Sequence, residues 1–172
     1  MALGEAGELD EELHEGGRVG IDLVWVVAGL AALTIGSIVR VEGVRHPLRV
    51  EHGHRRIGYL RELNTYPADS ERFAGYRRAL AEHGIEFDDH LVADDHSDPF
   101  GGHDAAARLL SLDQPPTAIQ CYTDRMAMGA YRAIRRAGLR VPDDVSVVGF
   151  DDQDQIAPWL DPPLTTVRLP HE

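Results

Sequence analysis

Residues 116–152, PTAIQCYTDRMAMGAYRAIRRAGLRVPDDVSVVGFDD, decide the fold. Pro115 and Pro116 interrupt whatever precedes them, and Thr117–Tyr122 then reads as a short strand. Asp124 can cap a helix that runs to Ala137, with Ala127, Ala130 and Ile134 on its inward face. Gly138 closes that helix. Pro142-Asp143-Asp144 forms a turn, and Val145–Phe150 is a second apolar run ending in Asp151 and Asp152. Strand, helix, turn and strand in this order make one βαβ unit, which requires a parallel sheet and a right-handed crossover.

The same alternation extends towards the amino terminus. Ile57–Leu60 reads as a strand, and Ser70 as the cap of a helix to about His83 with Phe73, Tyr76 and Leu80 inward and Gly84 as its stop. Leu91–Ala93 is a further strand, and Gly102–Leu112 a further helix with Ala106, Leu109 and Leu110 on one face. The predicted class is α/β, a parallel sheet flanked by helices. Ligands of such sheets bind beyond the carboxyl ends of the strands. The residues just past each predicted strand are therefore informative: Arg61 and Glu62, then Asp94, Asp95, His96 and Ser97, then Thr123, Asp124 and Arg125, then Asp151, Asp152, Gln153 and Asp154. Carboxylates and arginine beside aromatic rings suit a polyhydroxylated ligand, because each forms two directional bonds to neighbouring hydroxyls. Asp124 serves equally well as a helix cap or a ligand contact. Arg72, placed in a first helical turn, has the wrong sign for the helix dipole, which favours a functional role.

Composition narrows the chemistry. The 172 residues carry 29 acidic and 17 basic side chains, a formal net charge of −12. All the basic residues are arginine, so phosphate-loop, Schiff-base and general-base lysines are excluded. The acidity argues against non-specific nucleic-acid binding by this chain. A single cysteine, Cys121, excludes an internal disulfide framework and multi-cysteine metal cages. Residues 1–53 differ in texture: an acidic tail from Glu8 to Glu15, then an uncharged apolar run over 23–39 followed by Arg40, Arg45 and Arg49. That run reads either as a buried strand and helix or as a membrane span at the lower limit of length. The acidic start is unlike a signal peptide.

The blocks HGHRRIGYL (52–60), SERFAGYRRALAEHGI (70–85), 116–152 and PPLTTVRLP (162–170) resemble the LacI/GalR family of bacterial transcription regulators, over about two-thirds of the chain. The likeness is to its periplasmic-binding-protein-like effector domain. It implies a cytoplasmic sensor of two α/β lobes with a sugar-like or nucleoside-like effector between them, residues 54–172 being the carboxyl-proximal lobe. Effector contacts carried over by matching motifs are Arg72, Asp124 and Asp151. Thr123 replaces the family's usual asparagine, which leaves the effector's identity open. His96 or Phe100 takes the place of the family's cleft aromatic; Trp159 is a third candidate, but is expected instead to pack beneath its own turn. The resemblance implies a homodimer for the intact protein and operator binding through a headpiece, with no cofactor.

Residues 1–53 show no helix-turn-helix pattern, so the chain is expected to be a truncated or frame-altered piece of a regulator gene, which sequencing the locus tests. On its own, the chain is expected to bind effector weakly, because a cleft needs two walls, and to bind no operator. Micromolar calorimetric binding of a sugar, or a specific gel-shift band at low salt, contradicts these expectations. Three alternatives remain open: a free-standing or membrane-tethered sugar-binding protein, a Mg²⁺-dependent phosphoryl-transfer enzyme using Asp151 and Asp152, and a metal site in the His/Asp-rich stretch from Asp88 to Asp104. The second lacks both a lysine and a nucleophile–base pair, and the protein is expected not to be an enzyme. The third is split by a predicted strand into two halves.

Overall fold

A computed structural model describes residues 54–64 and 66–168. Five strands, β1 (Ile57–Glu62), β2 (Val92–Asp95), β3 (Ala118–Cys121), β4 (Ser146–Phe150) and β5 (Thr165–Val167), pair in the order β2-β1-β3-β4-β5, all parallel. Three helices, α1 (Pro67–Glu82), α2 (Pro99–Leu110) and α3 (Asp124–Arg136), form the crossovers. The apolar run 23–39 and the acidic tail lie outside the described residues. Among those described, no helix is long and apolar enough to cross a membrane.

Alternation along each strand builds two cores. Ile57, Tyr59, Ala118, Val148 and Phe150 pack with Tyr76, Ala79 and Leu80 of α1. Leu60, Ile119, Cys121 and Val147 pack on the other face with Ala105, Ala106 and Leu109 of α2 and Met126, Ala130 and Ile134 of α3. The first core is aromatic, with Tyr59, Phe73, Tyr76 and Phe87 in mutual ring contact. The second is rich in alanine. There α2 and α3 meet backbone to backbone: a Cβ on Gly102 would collide with the Met126 main chain, and one on Gly129 with Pro99 and His103. This close approach holds the amino ends of α2 and α3 side by side.

Several boundaries differ from the sequence reading. Helix α1 begins at Pro67 rather than after Ser70, because proline's fixed φ and missing N–H suit the first helical position. Arg72 therefore lies in the second turn, where the dipole argument has little force. Helix α2 begins at Pro99, capped by Asp98, whose carboxylate accepts from the N–H groups of Phe100 and Gly101 at 2.8 Å each. Thr123, not Asp124, is the N-cap of α3. Strand β5, unassigned from the sequence, completes the sheet beside β4. Trp159 does not pack beneath its turn: it is 81% exposed. Gly84 and Gly138 do end their helices, with φ of +63° and +76°. After them Ile85 N–H bonds back to Leu80 and Leu139 N–H to Ile134.

Candidate functional site

The sheet order reverses between β1 and β3: β2 lies on one side of β1, and β3, β4 and β5 follow on the other. The helix after β1 covers one face and the helices after β2 and β3 the other. The loops leaving the carboxyl ends of β1 and β3 thus part in opposite directions and open a crevice, the place where α/β sheets bind ligands. Arg72, Thr123, Asp124 and Asp151 all meet at this edge.

Arg72 reaches it from the second turn of α1. Its guanidinium lies between two rings, 3.8 Å from the Phe150 centroid and 4.5 Å from that of Tyr122. It donates to the Tyr122 carbonyl at 2.6 Å and to the Asp151 carboxylate at 3.2 Å. Two ring faces and two acceptors fix the planar group in one orientation. Tyr122 and Phe150 follow and end β3 and β4, so the strands themselves supply the clamp.

Asp124 is the first residue of α3 and is fully buried. Its carboxylate accepts the Thr166 hydroxyl at 2.5 Å and the Gln153 N–H at 2.7 Å, which ties α3 to β5 and to the loop after β4. Burial pushes this carboxyl up to about 6; the two hydrogen bonds oppose the rise, and the nearby Asp151 and Asp152 charges add to it. Thr123 caps the helix by accepting the Met126 N–H at 3.4 Å and shares a hydrogen bond with the Ser97 hydroxyl at 2.8 Å.

Asp151 and Asp152 adopt φ of 109° and 50°, a region side-chain-bearing residues seldom occupy. Such conformations cost on the order of 1–3 kcal/mol each and concentrate where function fixes the backbone. Arg168 forms an ion pair with Asp152 at 2.5 Å.

The two aromatic candidates part company. His96 lies in the loop directly after β2, exposed at the same edge, with its N–H bonded to Asp95 at 2.9 Å. Phe100 sits in the first turn of α2 and is 77% exposed. Sequence reasoning passed over the role of Glu62. This last residue of β1 is 7% exposed. It accepts from the Asn64 backbone and side-chain N–H groups at 3.0 Å each and from the Ser97 N–H at 2.8 Å. Through Ser97 it is linked to Thr123, so one hydrogen-bonded chain joins the loops after β1, β2 and β3. The signal available was its position as the first carboxylate after an apolar strand.

The His/Asp-rich stretch is divided by β2, as its spacing predicted. Asp88, Asp89 and His90 gather at the amino end, with potential ligand atoms within 4.8 Å of one another, while Asp94, Asp95 and His96 stand at the other.

Residues 49–172 match the family model of the periplasmic binding protein-like domain. The HTH-type transcriptional repressor CytR of Escherichia coli (strain K12) is 42% identical over 120 residues, which are 70% of this chain and 35% of the repressor. A solved sugar-binding transcriptional regulator of the LacI family from Escherichia coli, complexed with phosphate, superposes with a TM-score of 0.66 at 39% identity, over 69% of this chain and 42% of that one. The transcriptional regulator CelR in complex with cellobiose gives 0.68 at 33% identity, over 84% and 40%. The chain spans about a third of the length of the curated relatives it matches.

Proposed function

The chain belongs to the periplasmic binding protein-like family, as an effector-binding domain of the LacI/GalR type, and on that premise we propose that the carboxyl edge of its sheet is one wall of the site for a sugar-like or nucleoside-like effector. The observation that carries this reading is the clamp on Arg72. A guanidinium held between Tyr122 and Phe150 and aimed at Asp151 offers a ligand an oriented donor beside an oriented acceptor. Asp124 fixes the loop that presents Asp151. A ligand touching Arg72 and Asp151 joins a bridge that already links α1 to the loop after β4, and it changes their relative position by as much as it prefers one arrangement over another.

In the intact regulator such a change modulates operator binding through its headpiece, in the cytoplasm. The relatives are transcription repressors, and no reaction is assigned to the site. A thermal-shift panel of neutral pentoses, hexoses, disaccharides and nucleosides at millimolar concentration tests the reading. At least one member raises the Tm, and Arg72→Ala abolishes the rise. An equal rise in Arg72→Ala contradicts the assignment.

A second copy of the chain is the proposed partner at a separate face. Met128 and Trp159 are 45% and 81% exposed, and with Tyr131, Arg132 and Leu160 they line a groove of about 300 Å³ along α3. Exposed apolar side chains grouped in this way mark protein–protein contact. Trp159→Ser is expected to shift sedimentation from dimer towards monomer without lowering the Tm; an unchanged dimer contradicts this.

A further inference from the structure

The charge of the crevice restricts what it can hold. Carboxylates gather at the carboxyl edge, among them Glu62 at the end of β1, Asp124 after β3, and Asp151 and Asp152 after β4. Asp151 and Asp152 lie close enough to Asp124 to oppose its ionisation, so the three form one electrostatic group. Three guanidiniums at this edge are engaged within the protein. Arg72 is bonded to Asp151 and the Tyr122 carbonyl, Arg168 to Asp152, and Arg61 to Asp69 through two bonds of 2.9 and 2.7 Å. Below the edge, on the α1 face, the Asp69 Oδ1 and Gln120 Oε1 atoms and the Tyr59 hydroxyl are buried with no hydrogen-bond partner among the described residues.

From this geometry we infer that the site takes a neutral or cationic ligand rich in hydrogen-bond donors and rejects phosphorylated or otherwise anionic ones, with Glu62 as a specificity-determining residue that completes the acidic floor. The inference rests on the effector-site reading given above. Its physical basis is that like charges in a crevice with low-dielectric walls repel more strongly than in water, while a hydroxyl or amine supplies the donors that carboxylates require. Glu62 accepts three N–H bonds, from Asn64 and Ser97, which fix its carboxylate at the junction of the loops after β1 and β2.

Paired ligands separate the inference from its premise. Amide NMR titrations of the chain at low salt compare D-ribose with ribose 5-phosphate, D-glucose with glucose 6-phosphate, and adenosine and cytidine with their 5′-monophosphates. The expected result is that neutral members perturb residues 123–124 and 151–153, and that each phosphorylated counterpart binds at least tenfold more weakly. Raising the salt should narrow that gap by screening. Glu62→Gln combined with Asp152→Asn should narrow it at least threefold; if that variant does not fold, the wild-type pairs decide alone. A phosphorylated member that binds as tightly as its neutral partner overturns the inference and leaves the effector site standing. No perturbation at this edge by any member overturns the effector-site reading and the inference with it.

Discussion

Two polar clusters at opposite ends of β3 and β4 are built from opposite materials. At the amino end, the His54 ring joins Thr117 Oγ1 at 2.8 Å to Ser146 Oγ at 3.1 Å, and so fastens the segment before β1 to the starts of β3 and β4. Backbone bonds from Thr117 to Arg56 and from Ser146 to Thr117 run alongside. This knot satisfies itself with neutral groups. At the carboxyl end the groups are charged, the backbone at Asp151 and Asp152 is strained, and contacts come from loops distant in sequence. One end uses its polar groups to hold strands together, while on the proposed reading the other holds them oriented for a ligand. Both ends lie on the same strands, so the difference reflects local chemistry and not fold.

The contrast makes the ends respond oppositely to pH. The folded value of Asp124, about 6, lies above its ordinary 3.8, so the native state holds this proton longer than the unfolded chain does. Its stabilising contribution is full below pH 3.8 and is lost as pH rises through 6, a change of about 3 kcal/mol for a shift of this size. Asp124→Asn is expected to remove that slope, which denaturant melts between pH 4 and 7 would show as a flatter curve. His54 shows the reverse sign, because burial lowers its ring below 6.5. Its contribution is present above pH 6.5 and is lost as pH falls through the folded value, so His54→Gln should lessen the loss of stability on that side.

Smaller effects sharpen the comparison. Arg72→Ala removes two hydrogen bonds from a charged donor and empties the space between two rings, and is expected to cost about 2 kcal/mol in chemical denaturation as well as the ligand response. Gly149→Ala places a methyl group against the Asp124 carboxylate and Leu164. Overpacking of this kind costs about 1–3 kcal/mol, and the variant should lose ligand affinity along with stability. At the amino end, His54→Ala should cost about 1 kcal/mol with ligand affinity unchanged. A loss of affinity there equal to that in Gly149→Ala would erase the distinction between the ends.

The alternation of β1, α1, β2, α2, β3, α3 and β4 was legible in the sequence because each element carries its own period and its own stop. Strand β5 was not, because Thr165–Val167 is only three residues long and becomes a strand by pairing with β4, which no local pattern announces. The exchange of roles between Thr123 and Asp124 has a similar origin. Either side chain can cap a helix, and the choice is made by Thr166 and Gln153, which reach Asp124 from far along the chain. Arg72 was found for the family motif it matches, while its clamp between Tyr122 and Phe150 required the strands to be placed first. Trp159 was misjudged because large aromatic rings are usually buried, and only the packed molecule reveals one that is displayed.

If ligand recognition belongs to the carboxyl end of the sheet, binding should leave its mark there and nowhere else. Amide hydrogen exchange, with and without the neutral ligand that gives the largest thermal shift, tests this directly. Slowed exchange is predicted in peptides covering 62–72, 122–126 and 150–154, with little change around 54–57 and along the Met128–Trp159 face. Protection confined to the amino end or to that face, with 122–126 and 150–154 unaffected, would contradict it.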